Sequence, residues 1–358
     1  MQVVGILCEY NPFHKGHQKQ FAQIREQMGE ETLILCLMSG NFVQRGQPAI
    51  YPKEIRARAA LASGADLVLE LPVNFALSSA EGFASGGVAI FERLGVCNAL
   101  AFGCEDPELL SENMPLLLSN DYQESLHAAI REGKSYAAAA KTALEKLGGD
   151  GSLLSKPNNI LAVEYCKALA AQGSSIKPLA LKRDGDYHRE ESIENPSAEY
   201  LRASEDWEGF VPEEALALYR GQAKYRLEYG ERAMLSRLRL LTKEDTEKLP
   251  YASEGLWNKL LRAIREGKDL NGIMEAAKSK RYPYTRLSRM LLLACLGLRA
   301  EDMKKEAEFV RVLAFGEKAR PLLRKLSDEG RLPLLHLGQA YEKDASDYFY
   351  PLFREGTV

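Results

Sequence analysis

Histidine is scarce in this chain: its 358 residues include five. None of the six cysteines forms a C-x-x-C pair, and most lie in apolar runs, where buried free thiols are common. That pattern argues against a zinc site and fits a reducing compartment. No apolar run reaches membrane-spanning length. The N-terminus shows neither a basic region nor a signal-type cleavage site, and it enters a strand-like run at once. A cytoplasmic protein without a membrane partner is expected. The chain also lacks internal repeats, low-complexity tracts and strong charge, its formal net being −3.

What charge there is divides unevenly. Residues 1–204 hold 19 Lys+Arg against 25 Asp+Glu, and residues 205–358 hold 28 against 25. A polyanion would find the back half friendlier. With 46% hydrophobic and 27% charged residues, the composition is that of a globular protein. Its length suits one large domain or two ordinary ones.

Strand and helix signals alternate through the first two hundred residues. Apolar runs near 3–7, 32–38, 66–71, 97–103 and 176–182 read as buried strands. Helical patterns fall at 17–28, 52–63, 79–94, 122–132, 135–147 and 159–172. This alternation predicts a parallel sheet with helices on both faces. In such sheets ligands sit beyond the carboxyl ends of strands, at a switch point. After about residue 205 the strand signal disappears. Helices are expected over 212–220, 225–240, 256–265, 270–278, 285–296, 304–314 and 321–328. The fold expected is α/β: a Rossmann-like parallel-sheet domain over 1–205, followed by a smaller all-helical domain over 206–358.

Most of the chemistry is concentrated in Gly5-Ile6-Leu7-Cys8-Glu9-Tyr10-Asn11-Pro12-Phe13-His14-Lys15-Gly16-His17. An apolar strand runs into an Asn-Pro turn, and a helix opens at the second histidine. Free backbone N–H groups and the positive end of the helix dipole both face such a turn, which makes it an anion site. His14 and His17, three residues apart in a first helical turn, share one face and can reach the same phosphate. Gly16 has no side chain, so the backbone can close on that phosphate. His127 and His336 lie far from this segment and read as surface or packing residues.

This segment resembles the H-x-G-H signature of the nucleotidylyltransferase superfamily, which carries G-x-F-N-P-x-H-x-G-H at the end of its first strand. Two further runs narrow the likeness: Met38-Ser39-Gly40-Asn41-Phe42-Val43-Gln44-Arg45-Gly46 and Lys156-Pro157-Asn158-Asn159-Ile160-Leu161. Together they are similar to one branch, the tRNA(Met) cytidine acetate ligases, most strongly up to about residue 205. The resemblance implies ATP as substrate, accompanied by Mg²⁺, with no metal held by protein ligands alone. It implies catalytic roles for His14, His17 and Arg183. It places nucleotide against Leu7, Cys8, Glu9, Tyr10, Asn11, Pro12, Phe13, Lys15, Gly16 and Gly103. Asn158 and Asn159 are either nucleotide contacts or caps of the helix they precede.

Superfamily members also carry a phosphate-contacting I-S-S-T-x-I-R element. The matching run here is Pro196-Ser197-Ala198-Glu199-Tyr200-Leu201-Arg202, in which Ser197 and Arg202 keep their places. Glu199 stands where the pattern has Thr. A carboxylate beside phosphate is repulsive unless a metal or an arginine compensates, so Glu199 either holds Arg202 or helps ligate Mg²⁺.

The implied partners are acetate and elongator tRNA(Met), and not DNA. The loop after the second strand is expected to complete the site through Ser39, Gly40 and Arg45, with Arg45 able to pair with a small carboxylate. For RNA the best candidate is the basic, tyrosine-bearing run 278–289, with Lys280, Arg281, Tyr284 and Arg286. A second basic run covers 318–325. Two other functions fit the same residues: a nucleotidylyltransferase that adenylates a small cofactor precursor, and a non-catalytic RNA-binding module that retains a nucleotide site.

Overall fold

The computed structural model describes residues 1–183, 198–203, 207–252, 255–279, 282–335 and 344–356. Its strands are β1 (Val3–Cys8), β2 (Leu33–Ser39), β3 (Phe42–Val43), β4 (Gln47–Pro48), β5 (Leu67–Leu71), β6 (Ala99–Cys104), β7 (Lys177–Lys182), β8 (Val310–Phe315) and β9 (Leu334–Leu335). Helices α1 (Lys15–Met28), α2 (Lys53–Ala62), α3 (Val73–Ala76), α4 (Ala80–Leu94), α5 (Pro107–Leu117), α6 (Asn120–Arg131), α7 (Tyr136–Lys146) and α8 (Pro157–Ala171) lie between the front strands. The back half adds α9 (Ala198–Ala203), α10 (Glu213–Tyr219), α11 (Glu231–Arg239), α12 (Lys243–Lys248), α13 (Leu256–Glu266), α14 (Leu270–Ala277), α15 (Tyr284–Leu296), α16 (Arg320–Glu329) and α17 (Ala345–Phe349).

Seven strands form one sheet in the order β7-β6-β1-β2-β5-β8-β9, and β3 and β4 form a separate hairpin. The first five are parallel, and both faces of β1, β2 and β5 are buried. That explains why these strands read as continuous apolar runs without alternation. Val3, Leu35, Leu37, Leu67 and Leu69 face one core with α4 and α8. Val4, Ile6, Ile34, Cys36 and Val68 face a second with α1, α2 and α10. Helix α4 lies close to β1 because its sequence is rich in small residues. A Cβ at Gly87 would stand 2.4 Å from Leu7 Cδ2. All six cysteines are free thiols. No helix among the described residues is long and apolar enough to cross a membrane.

The back half departs from its all-helical expectation at 304–314. A short 3-10 turn, Asp302–Lys304, leads instead into β8, which pairs antiparallel with β5 and extends the sheet. The run Val310-Arg311-Val312-Leu313-Ala314 is buried throughout, and an apolar run this short does not separate strand from helix by periodicity. Helix α11 begins at Glu231, later than the expected 225, and α5, which is not among the helices expected from sequence, forms with Pro115 inside it. Helices α11, α13, α14 and α15 build a third core, which also takes in Phe42 of the hairpin and Leu77.

The cores are joined by a buried ion network. Lys53 of α2 bonds Glu70 of β5 at 2.8 Å and Asp347 of α17 at 2.6 Å. Arg311 of β8 reaches the same two carboxylates at 3.2 and 2.9 Å. Asn41 Nδ2 donates to Asp347 Oδ1 at 2.9 Å, tying the loop after β2 to the far end of the chain.

Candidate active site

Strand β1 pairs with β6 only at Val4↔Ala99 and Gly5↔Leu100, after which the two separate. By contrast, β1–β2 and β6–β7 stay in register to their carboxyl ends. The strand order also reverses here. The chain runs from β1 outward through β2 to β5, and then returns to the other side of β1 as β6. That is the switch point at which open parallel sheets bind ligands. A cavity of about 250 Å³ fills the gap, its lining part apolar (Ile6, Leu7, Phe83, Phe102, Leu161, Tyr165) and part polar (Glu9, Asn11, His17, Gln44, Asn158, Arg183).

The turn that closes β1 contains a cis Asn11–Pro12 bond and Tyr10 at φ 44°. His14 then caps α1: the Gly16 N–H donates to its Nδ1 at 3.1 Å. His17 completes the capping box, its Nδ1 accepting the His14 N–H at 3.2 Å. Because each Nδ1 accepts from backbone, this network assigns the proton of each neutral ring to Nε2. The rings stack with centroids 3.7 Å apart. Burial, helped by Arg183 and Arg202, lowers the His14 pKa to about 3. Burial, then His14 and Arg183, holds His17 well below the ordinary imidazole range. Both rings are therefore neutral N–H donors at pH 7. His17 lines the cavity, and His14, 2% exposed, stacks against it.

Arg183 follows β7 on the cavity wall and donates to Asn158 Oδ1 at 3.2 Å, while Asn158 Nδ2 donates to Glu105 at 2.6 Å. Gly103 gives Arg183 its room, since a Cβ there would stand 2.7 Å from Arg183 Cδ. Asn158 and Asn159 are not caps. They lie inside the first turn of α8, behind Lys156 as the N-cap. Only Asn158 faces the cavity. Asn159 is fully buried, its Oδ1 accepting the N–H groups of Glu105 and Asp106 at 2.9 and 3.2 Å, so it shapes the turn after β6.

Of the residues assigned to the nucleotide, Leu7, Cys8, Glu9, Tyr10, Asn11 and Gly16 line the cavity. Lys15 does not: its Nζ turns away to the Gly209 carbonyl at 2.7 Å. Pro12 and Phe13 are buried in the turn, and the Phe13 N–H donates to Tyr219 Oη at 3.1 Å. Ser39 and Gly40 serve as scaffold. The fully buried Arg56 bonds their carbonyls together with those of Glu9 and Tyr51. Sequence patterning did not mark Arg56 or Gln44. It also missed Lys19, Gln20 and Gln23, although with Gly16 they follow the i, i+3/i+4, i+7 spacing of one face of α1.

Arg45 and Tyr284 meet in a second cavity of about 450 Å³, lined also by Arg202, Tyr225 and Arg226. It adjoins the first through Asn11, whose carbonyl accepts from Arg202 Nη1 at 2.8 Å. Arg286 instead lies over the rings of Tyr251 and Tyr282. The basic run 318–325 falls largely on α16, which connects β8 to the edge strand β9, several strands from the crevice. His127 is exposed on α6. Ser197, Lys280, Arg281, His336 and the side chain of Glu199 lie outside the described residues. Among the described residues no group of three or more His, Cys, Asp or Glu could hold a metal ion, and Glu9 is the one acid lining the first cavity.

Fold and crevice define the class: this is a HIGH nucleotidyl transferase, and the model of that family matches residues 1–354. Curated relatives narrow it further. The tRNA(Met) cytidine acetate ligase of Clostridium kluyveri is 36% identical over 365 residues, which cover 93% of this chain and 89% of the relative. That of Anoxybacillus flavithermus is 35% identical, covering 94% and 89%. The chain belongs to this family. Among solved structures, Thermotoga maritima TmcAL bound with alpha-thio ATP superposes with a TM-score of 0.85 at 31% identity, covering 94% of this chain and 85% of that one. The apo form of the same protein gives 0.84 at 30% identity, covering 98% and 92%.

Proposed function

We propose that this protein activates acetate with ATP and passes the acetyl group to the exocyclic amine of the wobble cytidine in elongator tRNA(Met). In the first step an acetate oxygen attacks the α-phosphorus. The bond from that phosphorus to the bridging oxygen breaks, pyrophosphate leaves, and acetyl-adenylate forms. In the second step the cytidine amine attacks the acetyl carbon, the bond to the AMP oxygen breaks, and the amine proton passes to solvent. Acetate is already anionic at pH 7, so the first step needs no general base. The cytidine amine is a poor nucleophile because its lone pair is delocalised into the ring, and a mixed anhydride with AMP is activated enough to compensate.

The observation that carries this reading is the pair of neutral imidazoles at the switch point, each with its proton assigned to Nε2. Attack builds negative charge on a five-coordinate phosphorus, and fixed donors facing that charge stabilise it without reorganisation. His14, His17 and Arg183 take that role. Leu7, Cys8, Tyr10, Gly103 and Asn158 form the nucleotide wall, with Lys19 and Lys182 adding positive charge. Mg²⁺ would arrive on the triphosphate, which suits a lining whose described residues include a single acid, Glu9, because this ion is commonly held by one or two carboxylates plus substrate phosphates. It would neutralise phosphate charge there.

Residues 1–205 act as the nucleotide domain, completed by β8, and residues 206–358 supply most of the RNA-facing surface. The second cavity is the place for the anticodon loop: Arg45, Arg202 and Arg226 suit phosphates, and Tyr225 and Tyr284 suit splayed bases. The acceptor is RNA and not DNA, and the protein works in the cytoplasm. The test is incubation of purified protein with ATP, acetate and total tRNA. Acetylcytidine in one tRNA, by mass spectrometry, with acetate-dependent pyrophosphate release is the expected result; absence of both ends the reading. A cofactor-adenylating enzyme would release pyrophosphate with a phosphorylated precursor and ignore acetate.

A further inference from the structure

We infer that the side-chain amides of Asn11 and Gln44 form the seat of the small carboxylate that the nucleotide activates. This deepens the function proposed above and rests on it. Both residues line the crevice with His17 and Arg183. Asn11 is 2% exposed, and its Oδ1 accepts the Ile50 N–H at 2.7 Å. That bond fixes the amide orientation, so Nδ2 is the free end. Asn11 Nδ2 and Gln44 Nε2 are both buried and, among the described residues, without any hydrogen-bond partner. Buried donors left unpaired are costly and rare in native proteins. Two of them on the wall of one cavity mark a place where a ligand brings acceptors. A carboxylate brings two oxygens.

The loop that carries Gln44 is held in place. Its N–H donates to Glu9 Oε1 at 2.6 Å, and its carbonyl accepts from Arg289 Nη1 at 3.0 Å. Two residues on, the Gly46 carbonyl accepts from Ser288 Oγ at 2.5 Å. A Cβ at Gly46, where φ is +77°, would stand 2.4 Å from the Arg289 backbone nitrogen. Among the described residues Gln44 is held by its backbone N–H and carbonyl, which leaves its side chain for the cavity. The crevice thereby offers two kinds of donor. Arg183, Lys182 and Lys19 are cationic and suit the polyanionic triphosphate. The neutral amide pair shares its cavity with the Glu9 carboxylate, which disfavours a polyanion beside it and favours a monoanion with few atoms.

The test compares wild type with Gln44→Met and Gln44→Glu in acetate-dependent ATP–pyrophosphate exchange, with binding of a non-hydrolysable ATP analogue measured by calorimetry. Neither substitution removes a backbone anchor, and urea midpoints close to wild type check the fold. Expected is a rise of at least tenfold in the acetate KM, larger for Gln44→Glu, with analogue affinity kept within about threefold. Two results overturn the inference: an acetate KM within twofold of wild type in both variants, or a loss of analogue affinity as large as the rise in acetate KM. If wild type gives no acetate-dependent exchange, the function itself falls and this inference falls with it. Exchange in wild type with an unmoved acetate KM in the variants removes only the amide seat.

Discussion

On the proposed function the two histidines do two jobs at once, and one substitution separates them. His17 Nδ1 accepts the His14 N–H and so closes the cap of α1, while Nε2–H is left for the crevice. His17→Ala removes both. Losing a capping bond costs about 1 kcal/mol of stability. Losing a donor that acts on transition-state charge costs roughly 10²–10³ in rate, about 3–4 kcal/mol. His17→Gln keeps the first and not the second, because Gln at the third helical position is a standard capping-box partner whose oxygen can accept the His14 N–H. Urea unfolding should therefore place His17→Gln near wild type and His17→Ala about 1 kcal/mol below it. Single-turnover formation of acetyl-adenylate should be slowed about 10²-fold or more in both. If His17→Gln turned over within threefold of wild type, the imidazole would be a cap and nothing else, and the account of the crevice as a catalytic site would fail.

Other consequences are also measurable. Burial, Arg183 and Arg202 hold His14 at about 3, below an unfolded value near 6.5. Between those values the unfolded chain binds a proton that the folded one refuses, so stability is complete above about pH 6.5 and declines as pH falls toward 3. At pH 5 the loss from His14 alone is about 2 kcal/mol, and the gap between urea midpoints at pH 7.5 and pH 5 should narrow in His14→Asn, which keeps a good capping residue. Gly103→Ala forces Arg183 off its position; if Arg183 holds phosphate, the Kd for an ATP analogue should rise about tenfold, the scale of one charged hydrogen bond, and an unchanged Kd would remove Arg183 from the nucleotide site. Lys53→Ala leaves Glu70 and Asp347 sharing Arg311, which should cost about 3–5 kcal/mol in urea unfolding. Arg45→Glu and Arg226→Glu should raise the tRNA KM at least tenfold, about 1.4 kcal/mol, and leave acetate-dependent exchange within threefold; equal damage to both steps would place these arginines at the nucleotide.

The crevice was legible because its parts are local. Ile6 to His17 carries strand, turn, cap and donors within one short segment, and the capping box stacks the two rings on each other. Arg183 and Gly103 were legible as residues at strand ends. What escaped depends on long-range contacts. Gln44 is aimed at the crevice by Glu9 and Arg289, the second 245 residues away. Arg56 reads as one of several charges on an amphipathic helix, yet it lies fully buried and braces the backbone carbonyls of Glu9, Ser39, Gly40 and Tyr51. The same distance explains β8: its pairing partner, β5, precedes it by some 240 residues, so nothing adjacent in sequence announces a strand.

That late strand changes how the two halves relate. A helical attachment on a finished sheet could rock on its linker, and nucleotide and RNA would then be held independently. Here β8 sits inside the sheet, and Arg311 on it shares Glu70 and Asp347 with Lys53. Asp347 in turn holds Asn41 at the start of the loop that bears Gln44 and Arg45, and α15 holds the end of that loop through Ser288 and Arg289. The loop between the two cavities is thus pinned at both ends by the back half of the chain. An acyl-adenylate is easily hydrolysed, and the enzyme gains by making it only a short, fixed distance from its acceptor. Rigid joining of the halves would serve that need: the wall proposed to seat the acid and the wall proposed to meet the RNA are two sides of one loop.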